Sequence, residues 1–154
     1  MRAELRRKLK DGKFQGTTEI TSQIMSSIRA KGNRTTEVAF RMALVRRGIK
    51  GWSLHPKTVS GRPDIYFAEE RLAVFLDGCF WHGCRRCGHV PERNNAFWRH
   101  KFKLNMERDV KKTNQLRGAG ISVLRLWEHE LKLDLDLCLA KLLIRLEKRR
   151  QIRA

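Results

Sequence analysis

Three of the four cysteines fall between residues 79 and 87, inside the run "DGCFWHGCRRCGH" at 77–89. No other feature constrains the chain as tightly. Cys79, Cys84 and Cys87 read C-x4-C-x2-C. Two thiolates with two residues between them can grip one tetrahedral ion, and a third thiolate nearby points to zinc. Structural zinc takes four ligands. His82, His89, His129 and Cys138 are candidates for the fourth. A remote ligand at the strand end in "WEHE" would pin the loop to the sheet, which favours His129, with His89 as the local competitor. The alternatives are a redox C-x-x-C or ordinary buried thiols. Haem attachment would need histidine where Gly88 stands. Cys138 sits among leucines and reads as core.

The chain's 154 residues suit one domain with its own core. Its net charge of +18 predicts a polyanionic partner, with nucleic acid first and an anionic membrane surface as the rival. No run reaches transmembrane length and no secretory leader is visible, so a soluble, cytoplasmic protein is expected. Residues 1–22 are charged and weakly periodic. They read either as a flexible basic arm that contacts phosphates or as a solvated tail. Residues 23–154 form the expected single domain.

Periodicity supplies the elements. In "RTTEVAFRMALVRRGIKG", Val38, Met42, Val45 and Ile49 recur at helical spacing, with Thr35 or Thr36 as start signals and Gly48 or Gly51 at the end. "DIYFA" and "RLAVFLD" read as strands around an "EER" turn. "FWRHKFKLNMERDVKKTNQLRGAG" is a second helix, closed by Gly118 and Gly120, and "ISVLRLWE" is a buried strand. "LDLDLCLAKLLIRLEKRR" is a final amphipathic helix. This order predicts an α/β sandwich around a mixed central sheet.

The acids form a second pattern. Asp64 follows proline, and Asp77 comes after the strand hairpin, so both reach one edge of the sheet. Their oxygens could hold Mg²⁺, which stabilises the charge developed when a phosphodiester is attacked. Where the common nuclease pattern has lysine, this chain has Cys79, and His82 is the substitute general base. A turn role for Asp64 is the plain alternative. On the second helix Trp98, Phe102, Asn105 and Asp109 share a face, so Asn105 and Asp109 need polar partners such as a metal-bound water or His82. The plain alternative pairs Asp109 with Lys112 on the surface.

The motifs "IMSSIRAKGNRTTE", "GRPDIYF", "VFLDGCFWHGC", "FWRHKFKLNMERD" and "GISVLRLWEHEL" together resemble the very short patch repair endonuclease family, from about residue 22 to 131. The resemblance implies a restriction-endonuclease-like fold and a Mg²⁺-dependent nick 5′ of the thymine in a T·G mismatch left by deaminated 5-methylcytosine. It implies Asp64 and the backbone carbonyl of Leu76 at Mg²⁺, with His82 as base; Asp77, which departs from the family pattern, could hold Mg²⁺ directly or through water. Asp109 would orient that histidine, with Asn105 one turn before it and Glu37 as the acid of the first helix. Cys79, Cys84, Cys87 and His129 would hold structural zinc, and Phe80, Trp81 and Trp98 would form an aromatic wedge beside the mismatch. Flanking Arg85, Arg86, Arg93 and Arg99 would contact phosphates. The implied partner is double-stranded DNA with a mismatch, in company with mismatch-repair proteins and a cytosine methyltransferase in a prokaryotic nucleoid. One active site suffices for a nick, so a monomer is expected. Two departures stand out: Asp77 occupies the place of a family histidine, and Cys84 and His129 exchange residue types within the zinc set. The alternatives are a less specific nuclease of a restriction or defence system and a non-catalytic zinc-stabilised DNA-binding module.

Overall fold

A computed structural model describes residues 9–10, 13–14 and 35–153. Most of the expected N-terminal arm lies outside the described residues. Within it, β1 (Leu9–Lys10) and β2 (Lys13–Phe14) pair antiparallel.

Helix α1 spans residues 35–46. It buries Thr36, Phe40, Ala43 and Leu44, whose spacing is one helix face. The stripe expected to be buried is the other one: Val38, Met42 and Val45 are 41%, 47% and 58% exposed. Both stripes have helical spacing, so periodicity alone does not choose between them. The larger Phe40 and Leu44 reach the sheet core and set the rotation of the helix. Gly48, with φ 64°, ends α1. Its N–H bonds the Val45 carbonyl while the Ile49 N–H bonds the Leu44 carbonyl, both at 3.0 Å, which turns Ile49 back onto the core.

The main sheet runs β3 (Trp52–Leu54), β4 (Ile65–Phe67), β5 (Leu72–Asp77) and β6 (Ser122–Trp127), in that order. The first two pairings are antiparallel and β5–β6 is parallel, so the sheet is mixed as expected. The parallel crossover carries α2 (Asn95–Gly118). The alternation of β5 splits the core. Leu72, Val74 and Leu76 face Phe40, Leu139, Leu142 and Leu146, whereas Ala73 and Phe75 face Leu116 of α2. Asp77 continues the α2-facing register, as does Arg125 on β6.

After β6 the chain forms a short helix, α3 (Glu128–Leu133), and then α4 (Leu135–Arg153). The final helix stands where its sequence places it, and the short α3 before it takes the place of the expected strand end; the Asp134 carboxylate accepts the Leu137 N–H at 2.8 Å and caps α4. Cys138 is fully buried in α4, as its leucine surroundings suggest. Arg150 pins this helix to the β4–β5 turn through Glu70, which is only 5% exposed. Among the described residues, no helix is long and apolar enough to cross a membrane.

Candidate active site and metal centre

Asp64 stands just before β4, behind the buried Pro63. Antiparallel pairing carries it to the end of β5, where its Oδ2 accepts the Leu76 N–H at 2.7 Å. In an extended strand the N–H and C=O of one residue point to the same side, so the Leu76 carbonyl faces the Asp64 side too. Glu37, in the first turn of α1, reaches the same place. His55, just past β3, bridges the two acids: its Nε2 is 3.1 Å from Glu37 Oε1, and its Nδ1 is 3.8 Å from Asp64 Oδ1. Burial raises the Asp64 carboxyl above its usual range despite the Leu76 hydrogen bond, and the Glu37 charge adds to the rise. A cation would relieve that repulsion. Glu37, His55 and Asp64 are close enough together to hold one. Sequence reasoning missed His55. It is one of five histidines, and only the strand pairing and α1 bring it between two acids.

Asp77 does not join this cluster. It is 3% exposed, and both its oxygens are taken by Arg125, at 2.6 and 2.8 Å. The register turns Asp77, expected as a third acid at Mg²⁺, toward α2, where a guanidinium compensates its buried charge.

His82 lies between the two sets. Its Nδ1 is 2.5 Å from Asp109 Oδ2 and 3.8 Å from Asp77 Oδ1. Burial alone would lower the imidazole. The Asp109 hydrogen bond and the nearby Asp77 and Asp109 charges outweigh it and raise the group above its usual value. Asp109 moves the opposite way: burial raises it, but the His82 hydrogen bond and charge win and lower it. The surface pairing with Lys112 is thus not the one formed. Asn105 shares the helix face, yet its amide donates to the Trp81 carbonyl at 2.9 Å and not to His82. It fixes the loop that carries His82.

The cysteine loop closes on α3. The Cys79, Cys84 and Cys87 sulfurs lie 3.2, 3.5 and 3.5 Å from His129 Nδ1. Ligands around one tetrahedral zinc would be about 3.6–3.8 Å apart, given metal–ligand bonds of roughly 2.0–2.3 Å. The four donors therefore fit such an ion with only slight expansion. His129 belongs to the first turn of α3 and not to a strand end, and its ring stacks on Trp127. His82 is committed to Asp109, His89 lies beside Phe80, and Cys138 is remote in the core, so none of these competes. Burial, and the hydrogen bond that the protonated Cys79 thiol donates to Cys87, push Cys79 up to about 12. Cys84 is lowered, because the Cys87 and Arg86 amides outweigh its burial. Gly88 is required by space, since a Cβ there would meet the Cys84 carbonyl oxygen at 2.4 Å.

Between the cysteines, Phe80 packs edge-on against Trp81, Trp98 and Phe102, with ring centroids 5.0–5.3 Å apart. Phe102 is buried beneath them, while Phe80, Trp81 and Trp98 stay half-buried. The Lys101 ammonium lies 5.3 Å from the Trp81 ring. Arg85, Arg86, Arg93 and Arg99 are exposed; Arg85 and Arg86 line a cavity shared with His82 and Asp109.

The family model described as DNA mismatch endonuclease Vsr matches residues 15–88. The DNA mismatch endonuclease Vsr of Escherichia coli (strain K12) is 34% identical over 110 residues, 69% of each chain. This chain belongs to the Vsr family. The Type II nicking enzyme V.NmeAIP of Neisseria meningitidis serogroup A / serotype 4A (strain DSM 15465 / Z2491) is 37% identical over 118 residues, 75% of this chain and 82% of its own. The Type II nicking enzyme V.NaeI of Lentzea aerocolonigenes is 41% identical over 113 residues, 71% of this chain and 68% of its own. In this Vsr-family chain the expected residues divide into three groups. Glu37 and Asp64 meet through His55, His82 and Asp109 meet beside Asp77, and the cysteines meet His129.

Proposed function

We propose that this chain nicks one strand of duplex DNA 5′ of the thymine in a T·G mismatch arising from deaminated 5-methylcytosine. The observation that carries the reading is the approach of Asp64 and the His82–Asp109 pair to one end of β5, beside half-buried aromatic rings. Asp64 and the Leu76 carbonyl would hold Mg²⁺, with Glu37 and His55 alongside; the oxygen donors suit a hard cation. When bound, Mg²⁺ supplies stabilisation for charge developing on the phosphoryl oxygens. Asp109 holds His82 Nδ1–H, leaving Nε2 to take a proton from the water that attacks phosphorus. The bond from phosphorus to the leaving oxygen then breaks, and that oxygen takes a proton from solvent water.

Cys79, Cys84, Cys87 and His129 would hold zinc and tie the His82 loop to α3. Phe80, Trp81 and Trp98 would enter the stack beside the mismatch. Opening a base step costs a few kcal/mol, least at a mismatch. Stacking on the rings offsets about 1–3 kcal/mol per base. The exposed arginines would hold phosphates.

The test is a panel of duplexes carrying T·G, T·A, C·G and the other mismatches, incubated with protein and Mg²⁺. One nick, confined to T·G, is expected. Equal cutting of every duplex favours a second reading, a less specific nuclease of a restriction or defence system. Binding without any nick would overturn both.

A further inference from the structure

Arg125 is the group in this neighbourhood that the nicking scheme does not use. It rises from β6 on the α2 side of the sheet, with its guanidinium 4.8 Å from the centre of the Phe75 ring. Nε and Nη2 grip Asp77 Oδ2 and Oδ1 at 2.6 and 2.8 Å. Nη2 also lies 3.3 Å from Asp109 Oδ1, and Nη1 donates to Thr113 Oγ1 at 3.2 Å. One guanidinium therefore ties down both carboxylates that flank His82.

Those carboxylates compete. His82 Nδ1 faces Asp109 Oδ2 at 2.5 Å and Asp77 Oδ1 at 3.8 Å, and it has one proton to give. An Asp77 without Arg125 would be a buried, unpaired charge with that same nitrogen 3.8 Å from its Oδ1. Bonding to Asp77 would rotate the ring away from Asp109 and re-aim Nε2.

We propose that Arg125 is a positioning residue: by occupying both oxygens of Asp77, it reserves the Nδ1–H of His82 for Asp109. The proposal rests on the reading of His82 as the base for the attacking water. It also accounts for Asp77 standing where the resembled family has histidine. The acid is tolerated beside the base because Arg125 accompanies it. A lysine would not substitute fully, since a single ammonium lacks the fork that holds two oxygens in fixed geometry.

The experiment measures single-turnover nicking of a T·G duplex by Arg125→Gln, Arg125→Lys, Asp77→Asn and the Asp77→Asn/Arg125→Gln double variant, with duplex affinity and melting recorded for each. Arg125→Gln should slow nicking on the order of 10–100-fold with affinity unchanged. Arg125→Lys should be intermediate. In the Asp77→Asn background the Arg125 replacement should cost little, because the competing carboxylate is gone. The proton NMR resonance of His82 Nδ1–H should move in Arg125→Gln and return in the double variant. Equal rate losses in both backgrounds would overturn the proposal and make Arg125 a scaffold tie between α2 and the sheet. So would an unmoved resonance. If His82→Ala nicks at the wild-type rate, the base assignment itself fails; the resonance still reports whether Arg125 holds the imidazole.

Discussion

Replacing Asp109 by asparagine probes the His82 assignment most directly. Asparagine keeps the shape of the side chain and can still accept the Nδ1–H, so the 2.5 Å contact survives as a neutral hydrogen bond. Arg125 loses its 3.3 Å ionic contact but keeps Asp77, so the fold should stand. A hydrogen bond to a charged group contributes about 1.5–3 kcal/mol and a neutral one about 0.5–1.5 kcal/mol. The difference, about 1–1.5 kcal/mol, is the support that Asp109 gives an imidazolium formed during the reaction. At about 1.4 kcal/mol per factor of ten, nicking should slow roughly tenfold if the ring keeps its orientation. It should slow about a hundredfold if the ring shifts by an ångström. The assay is single-turnover cleavage of an end-labelled T·G duplex at saturating enzyme across pH. Asp109 raises the imidazole, so the asparagine variant should titrate lower and the acid limb of its rate profile should move to lower pH. Stability follows with a definite sign. His82 is raised by folding, so its contribution is complete below about pH 6.5 and is lost as pH rises through its folded value. Asp109 is lowered, so its contribution is present above about pH 3.9 and is lost as pH falls through its folded value. The variant's melting deficit should therefore be largest at weakly acidic pH and shrink under alkaline conditions. A rate within twofold of wild type, with the acid limb unmoved, would refute the role of Asp109 as the partner of a catalytic base.

Other predictions test separate parts of the molecule. Purified protein should carry about one zinc per chain, and Cys84→Ser or His129→Ala should lower both metal content and melting temperature, read by atomic absorption and calorimetry. Asp64→Ala should abolish nicking while zinc content and circular dichroism stay as in wild type, because its carboxyl belongs to a cluster separate from the cysteines. Phe40→Ala should cost about 3–5 kcal/mol in denaturant unfolding. Val38→Thr or Val45→Thr, on the exposed stripe of the same helix, should stay within about 0.5 kcal/mol.

Much of the site was legible because its signals are local or chemically narrow. Cys79, Cys84 and Cys87 point to a metal by residue type and spacing, and the use of a remote fourth ligand favoured His129 over the local His89, which the structure keeps apart from the thiols. Asp109 could be ranked as a partner for His82 because a polar residue on an aromatic stripe of α2 needs one. Asn105 stands on that same stripe, but periodicity could not say that its partner would be the Trp81 carbonyl.

From local order alone, the chain determined its three longer helices, the mixed character of the sheet, the hairpin that brings Asp64 to the end of β5, and the three thiols of the donor set; the short α3 was not legible. These follow from periods of 3.6 and 2 and from side-chain chemistry, which act over a few residues. Only the tertiary structure decided which stripe of α1 is buried, because both stripes repeat alike and the choice falls to the larger side chains that meet the sheet. Only it brought His55 between Glu37 and Asp64, and only it gave Asp77 to Arg125, 48 residues away. Buried charge must be compensated by whatever cation the sheet register brings within reach, and register is a property of two strands together, not of either alone.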